Sequence, residues 1–280
     1  MCFDARNAEV DFDSGEMGVA SKRYKHPIVI GLEKAVWAKE VRKSGGLVQD
    51  HFEAIVDAWE SALSSDSQSS SSAAAPTLES LEARSERIYS RQLYLHLNPL
   101  GVSSAPIDEI FSHLGKAIGI LESILDVPSR MGVKLNVKND SSPDPAPARI
   151  AKNRKPSLQD SARGLSLPQE FLQKHNVVQE DVLRHGGAAK GFRDAVFDTA
   201  TRANDYLITA RTTIKKELPG GRVSKDARPA LVGTAVVPFL LNRLEAYDFD
   251  PFVPAFRFEA KGQGWRLPWI MYQTSWTGRL

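Results

Sequence analysis

Two carboxylates placed four residues apart on one helix face point the same way and can share a magnesium ion that grips a diphosphate. In this 280-residue chain the place nearest to such chemistry is the end of an apolar stretch, Gly119-Ile-Leu-Glu-Ser-Ile-Leu-Asp126-Val-Pro-Ser-Arg130. Four residues beyond Asp126 stands Arg130, a cation where a second magnesium ligand would be needed. Pro128 between them is expected to obstruct the helix, because its ring has no N–H and collides with the preceding turn. Asp126 beside a proline therefore reads as a helix-end or turn residue.

Asp194 and Asp198 are also four apart. Their expected roles are structural: Asp198 in an i, i+4 ion pair with Arg202, and Asp194 near a positive helix N-terminus. The histidines form no HExxH-like pair, and His113 and His175 stand alone in the sequence. Gly186-Gly187 with Gly191 follows no strand and reads as a helix connection, not a phosphate loop. No GxSxG elbow occurs. These residue types assign no catalytic residue and no metal ligand.

The elements that must carry these positions read as helices throughout, so the fold class expected is all-α. Residues 1–25 show no sustained period and read as a flexible start. Helical spacing of apolar residues then predicts helices over 26–41, 47–63, 77–97 and 107–125. The last of these has a wide stripe running from Ile110 to Leu125. Further helices are expected at 168–175, 179–185, 192–218, 229–244 and 267–276. Two stretches break the pattern. Residues 64–76 are rich in serine and read as a low-complexity linker, and 134–164 read as a disordered basic insertion rich in proline and serine. The domain expected is 26–280, a single helical body with that linker and that insertion. Trp265, Trp269, Tyr272 and Trp276 are expected to include core residues, since large aromatics are mostly buried.

Composition is that of a globular chain, 42% hydrophobic and 25% charged. A net charge of +2 gives no basic stripe for nucleic acid. A single cysteine, Cys2, excludes an intramolecular disulfide and a cysteine-based zinc site. The longest apolar run, 230–241, is too short to span a bilayer and contains Pro238. The first twenty residues carry five acids against Arg6, the opposite of a transit peptide.

The order of these pieces resembles the squalene and phytoene synthase family through 89–101, 112–126, Leu167-Pro168 and the helix from Phe192. The resemblance implies an isoprenoid-synthase helical bundle, in which two aspartate-rich helices face a central cavity. In catalytic members the segment similar to 119–130 ends in Asn-x-x-Arg-Asp-x-x-x-Asp. Here Glu122 stands for the Asn, Leu125 for the Arg and Arg130 for the second Asp, and only Asp126 is kept. The first aspartate-rich helix would fall before His26, where nothing looks like it.

Within the family the chain is most similar to a non-catalytic mitochondrial group, the complex I assembly factor 6 proteins. The residues that carry this are Ser112-His-Leu-Gly-Lys-Ala-Ile-Gly-Ile120, 179–184, 192–198 with Ala210-Arg211, Asp248-Phe-Asp-Pro-Phe252 and 267–276. That resemblance implies a protein without turnover or cofactor, peripheral to the matrix face of the mitochondrial inner membrane, whose partners are complex I subunits or assembly intermediates. It implies a remnant pocket at Tyr94, Glu122, Asp126 and Arg130, able to hold a phospholipid or isoprenoid head group, since an arginine can pair with a phosphate. The rival expectation is a magnesium-dependent prenyltransferase that condenses prenyl diphosphates. A third is a membrane-surface or lipid-carrier module using the C-terminal aromatics.

Overall fold

The computed structural model of the chain describes residues 48–68, 75–132, 164–262 and 264–280. The expected flexible start (1–25), the expected helix at 26–41 and residues 134–163 of the basic insertion lie outside the described residues. Among the described residues there is no strand, and every regular element is helical. The all-α class is thus observed.

In chain order the helices are α1 (Gln49–Gln68), α2 (Leu78–Ser85) and α3 (Arg91–Leu97), with a π turn, Glu86–Ser90, joining α2 to α3. Next come α4 (Ala105–Arg130), α5 (Gln169–Lys174), α6 (Gln179–His185) and α7 (Phe192–Glu217). The chain ends in α8 (Arg228–Thr234), α9 (Val236–Ala246), α10 (Pro254–Ala260) and α11 (Arg266–Thr277).

The core is built on α4. Its Ile110, Phe111, Leu114, Ala117, Ile120, Ile124 and Val127 are fully buried, and these positions recur at helical spacing. α7 lies along one side of α4 and meets it with small residues, Ala195, Thr199, Ala200, Ala203 and Ala210, all buried. On the other side the π turn packs against Gly115, and the end of α2 with Tyr89 of the π turn packs against Gly119. A Cβ on Gly115 would stand 2.5 Å from the Ser90 backbone nitrogen, and one on Gly119 would stand 2.4 Å from the Ser85 Cβ. The two backbones are therefore closer than any side chain at those positions would allow. The Ser90 hydroxyl uses this closeness to donate to the Ser112 carbonyl at 3.0 Å.

Other contacts tie distant segments to this centre. The Gln169 N–H donates to the Pro76 carbonyl at 2.8 Å, and the Leu78 N–H donates to the Glu170 carboxylate at 2.9 Å. The start of α2 is thereby fixed to the start of α5. Ser166, returning from the insertion, donates to the Ser123 carbonyl on α4 at 2.6 Å. The Asp248–Phe252 turn is held to α7 through Arg193, which donates to Asp248 and to Asp250, while Asp250 also accepts from the Phe252 N–H at 2.9 Å.

Several expectations from the sequence need correction. α1 runs to Gln68, into the stretch read as a linker; the Ser61 and Ser64 hydroxyls bond back to the carbonyls of Asp57 and Glu60, so serine here sits within a helix. α4 does not stop at Leu125 but continues through buried Pro128 to Arg130; the proline forfeits one bond, to the Ile124 carbonyl, and the last turn still closes from the Met131 N–H to the Val127 carbonyl at 3.0 Å. The single helix expected at 229–244 is two, parted at Ala235. Pro238 offers no N–H to the Thr234 carbonyl and crowds it, which breaks the ladder there. α10 was not foreseen among the C-terminal aromatics. The expected Asp198–Arg202 pair is absent. Asp198 instead accepts from Lys174 at 2.7 Å and meets His175 at 2.8 Å, and Arg202 donates to Glu82 at 2.6 Å. His175 is thus not isolated, and His113 stacks on Tyr206 with ring centroids 5.7 Å apart.

Candidate functional site

The site is set by two irregularities in neighbouring helices. A π turn inserts an extra residue per turn and is found often at functional positions. Here it covers Glu86–Ser90 and turns Tyr89 towards the far half of α4. On α4, the unbroken helix through Pro128 keeps Glu122, Asp126 and Arg130 on one face, each one turn from the next.

These side chains feel one another. Burial raises the Tyr89 phenol well above its ordinary range, and the nearby Glu122 and Asp126 carboxylates add to the rise while Arg84 opposes it. Burial also raises the Glu122 carboxyl above its ordinary value, with the Asp126 charge a second cause. As a residue Glu122 is exposed, and the protein beside it removes only part of the water around its carboxyl. The Arg130 Nε donates to the Asp126 carboxylate at 2.5 Å, and both groups are partly buried.

The structure therefore brings together Glu122, Asp126 and Arg130 with Tyr89, which the sequence reading missed. It does not bring Tyr94 to them. The Tyr94 hydroxyl donates to the Asp108 carbonyl at 3.1 Å, near the start of α4, and its ring faces His51 at 5.5 Å. Asp108 and Asp126 are about 27 Å apart at the helical rise of 1.5 Å per residue. Tyr94 serves the junction of α1, α3 and α4. The one-turn spacing of Glu122 and Asp126 was readable as an acid pair, lying before Asp126 and not after it; only the π turn that delivers Tyr89 left no sequence signal.

As a magnesium site this donor set fits poorly. A diphosphate-gripping magnesium wants several hard oxygen ligands from well-placed carboxylates. Here Asp126 is engaged by Arg130, and the one carboxylate left beside it, Glu122, is raised above its ordinary value by burial and then by the Asp126 charge. Among the described residues no group of three or more histidine, cysteine, aspartate or glutamate side chains could hold a metal ion. What the arrangement offers is a partly buried guanidinium paired with a carboxylate, with a second acid and a buried phenol beside it.

Comparison with known proteins agrees with this fold. The squalene/phytoene synthase family model matches residues 156–273, a stretch that begins after α4. The curated relatives include proteins named NADH dehydrogenase (ubiquinone) complex I, assembly factor 6. The rat protein is 29% identical over 203 residues, covering 72% of this chain and 49% of that protein. The mouse protein is 28% identical over 253 residues, covering 90% and 60%, and the human protein is 28% identical over 199 residues, covering 71% and 48%. The chain spans about half the length of the curated relatives it matches. No solved structure matches it. The chain is thus an all-α protein similar to the squalene/phytoene synthase family over 156–273 and, over most of its length, to the complex I assembly factor 6 proteins.

Proposed function

We propose that this protein acts in the assembly of mitochondrial respiratory complex I and performs no prenyl transfer. The observation that carries the reading is its similarity to proteins named complex I assembly factor 6 across 71–90% of the chain. The site supports it: the carboxylate that catalysis would need opposite Asp126 is Arg130, and the two are paired. In this reading the protein works in the mitochondrion, attached peripherally to the matrix face of the inner membrane, and its partners are complex I subunits or assembly intermediates. Among the described residues no helix is long and apolar enough to cross a membrane. Disruption of the gene should deplete assembled complex I on native gels and leave the other respiratory complexes in place. Complex I at normal abundance in the disrupted strain would refute the reading.

One observation favours a second reading. Glu122 and Asp126 are acids one turn apart, the spacing a prenyltransferase uses for magnesium. A magnesium-dependent condensation of prenyl diphosphates would release pyrophosphate. Purified protein given farnesyl or geranylgeranyl diphosphate with magnesium should release none above the rate without protein, and sustained release would establish the second reading instead.

A further inference from the structure

The C-terminal aromatics were expected to include core residues, and they are on the surface. Trp265 is 74% exposed, Trp269 52%, Tyr272 60% and Trp276 76%. Their spacings of four, three and four residues place them on one narrow stripe of α11. Trp265, just before the helix, already has helical backbone angles and continues that stripe. Over eleven residues the stripe is about 16 Å long. Because it runs parallel to the helix axis, all four rings reach the same plane at once.

The stripe is rigidly presented. Arg228 donates to the Trp276 carbonyl at 2.9 Å, and the Val223 N–H donates to the Gly278 carbonyl at 3.1 Å, so the end of α11 is clamped to the segment leading into α8. Thr274, on the opposite side of the helix, is buried. The Trp269 and Tyr272 rings lean on each other at 5.9 Å.

Charge around the stripe is mostly positive. Residues 259–280 hold Lys261, Arg266 and Arg279 against Glu259, whose carboxylate is taken by Arg243. The clamped segment adds Arg222, Lys225 and Arg228 against Asp226 alone. Lys261, Arg266, Arg279, Arg222, Lys225 and Arg228 gather here against Asp226 and the already paired Glu259, in a chain whose net charge is only +2. Tryptophan and tyrosine carry an apolar body with a polar tip and sit at the level of lipid head groups. A convex helix with level aromatics and flanking arginines suits a flat anionic layer; an apolar protein helix would seek a groove, and the stripe is a ridge.

From this geometry and charge, we infer that the α11 stripe is the surface by which the protein docks on an anionic phospholipid membrane, lying flat with Trp265, Trp269, Tyr272 and Trp276 at head-group depth. The inference rests on the peripheral attachment in the reading above and gives that attachment a named surface. The test is flotation of the full chain with phosphatidylcholine vesicles, with and without phosphatidylglycerol. The wild-type protein should float with the anionic vesicles, lose most of that binding without phosphatidylglycerol, and be released as salt rises. A variant with Trp265, Trp269 and Trp276 all changed to alanine should bind at least about tenfold less while keeping its circular dichroism spectrum and melting temperature. Trp59→Ala removes an exposed tryptophan on α1 and should float like the wild type. No flotation of the wild type, undiminished flotation of the triple variant, or equal loss in Trp59→Ala would each overturn the proposal. Native gels of complex I read the assembly role separately, so loss of one reading does not carry the other.

Discussion

Glu122 and Asp126 stand one turn apart on α4, and the groups around them decide what they can hold. Arg130 takes the Asp126 carboxylate. Burial, and then the Asp126 charge, raises the Glu122 carboxyl above the ordinary 4.5. The folded protein therefore keeps that proton to a higher pH than the unfolded chain does. The stability this group contributes is complete below its unfolded value and is lost as pH rises through its folded value. Glu122→Gln cannot ionise and should remove that loss. Melting curves from acid to neutral pH should then show the variant gaining on the wild type as pH rises; parallel curves would mean that the carboxyl is not perturbed. At this scale the sequence was partly legible. It showed Arg130 in place of an acid, but the rule for helical neighbours misassigned Arg202, whose partner Glu82 is 120 residues away. No local spacing can report such a pair.

At the scale of the element, the site depends on how closely α4 meets the α2–α3 arm. Gly115 and Gly119 set that distance, since a Cβ at either would overlap Ser90 or Ser85. Gly115→Ala carries the harder clash, because two of the atoms it meets belong to the Ser90 backbone. It should cost about 1–3 kcal/mol, the usual penalty for overpacking a tight contact. Gly233→Ala, with nothing within 4 Å of its added Cβ, is the control and should not lower stability. Denaturant unfolding of the two variants checks this, and equal midpoints would contradict the close packing. The helices themselves were well signposted: α6, α7 and α11 start and stop within a residue of where periodicity and glycine put them, while α4 runs five residues past its expected end. What periodicity cannot see is a π turn, which changes the phase of a helix without changing its apolar character. Nor does it weigh a proline near a helix end against the packing around it, as Pro128 shows.

For the whole molecule, α4 carries the Glu122–Asp126–Arg130 cluster at one end and the junction with α1 and α3 at the other, and the aromatic stripe of α11 is exposed. The all-α class was legible because apolar spacing of three and four residues persists along the chain. The exposure of Trp265 to Trp276 was not, because a stripe that covers a core and one that faces outward have the same period. The chain is similar to the squalene/phytoene synthase family over 156–273 and to the complex I assembly factor 6 proteins over most of its length; the proposed role in complex I assembly requires no turnover at Glu122 and Asp126. The most direct measurement is rescue of the disrupted strain by a Glu122→Gln, Asp126→Asn double variant, read as complex I on native gels. The account predicts that the double variant restores complex I as fully as the wild-type gene does. A double variant that is folded and abundant yet leaves complex I depleted would contradict it, because the two carboxylates would then be needed for chemistry.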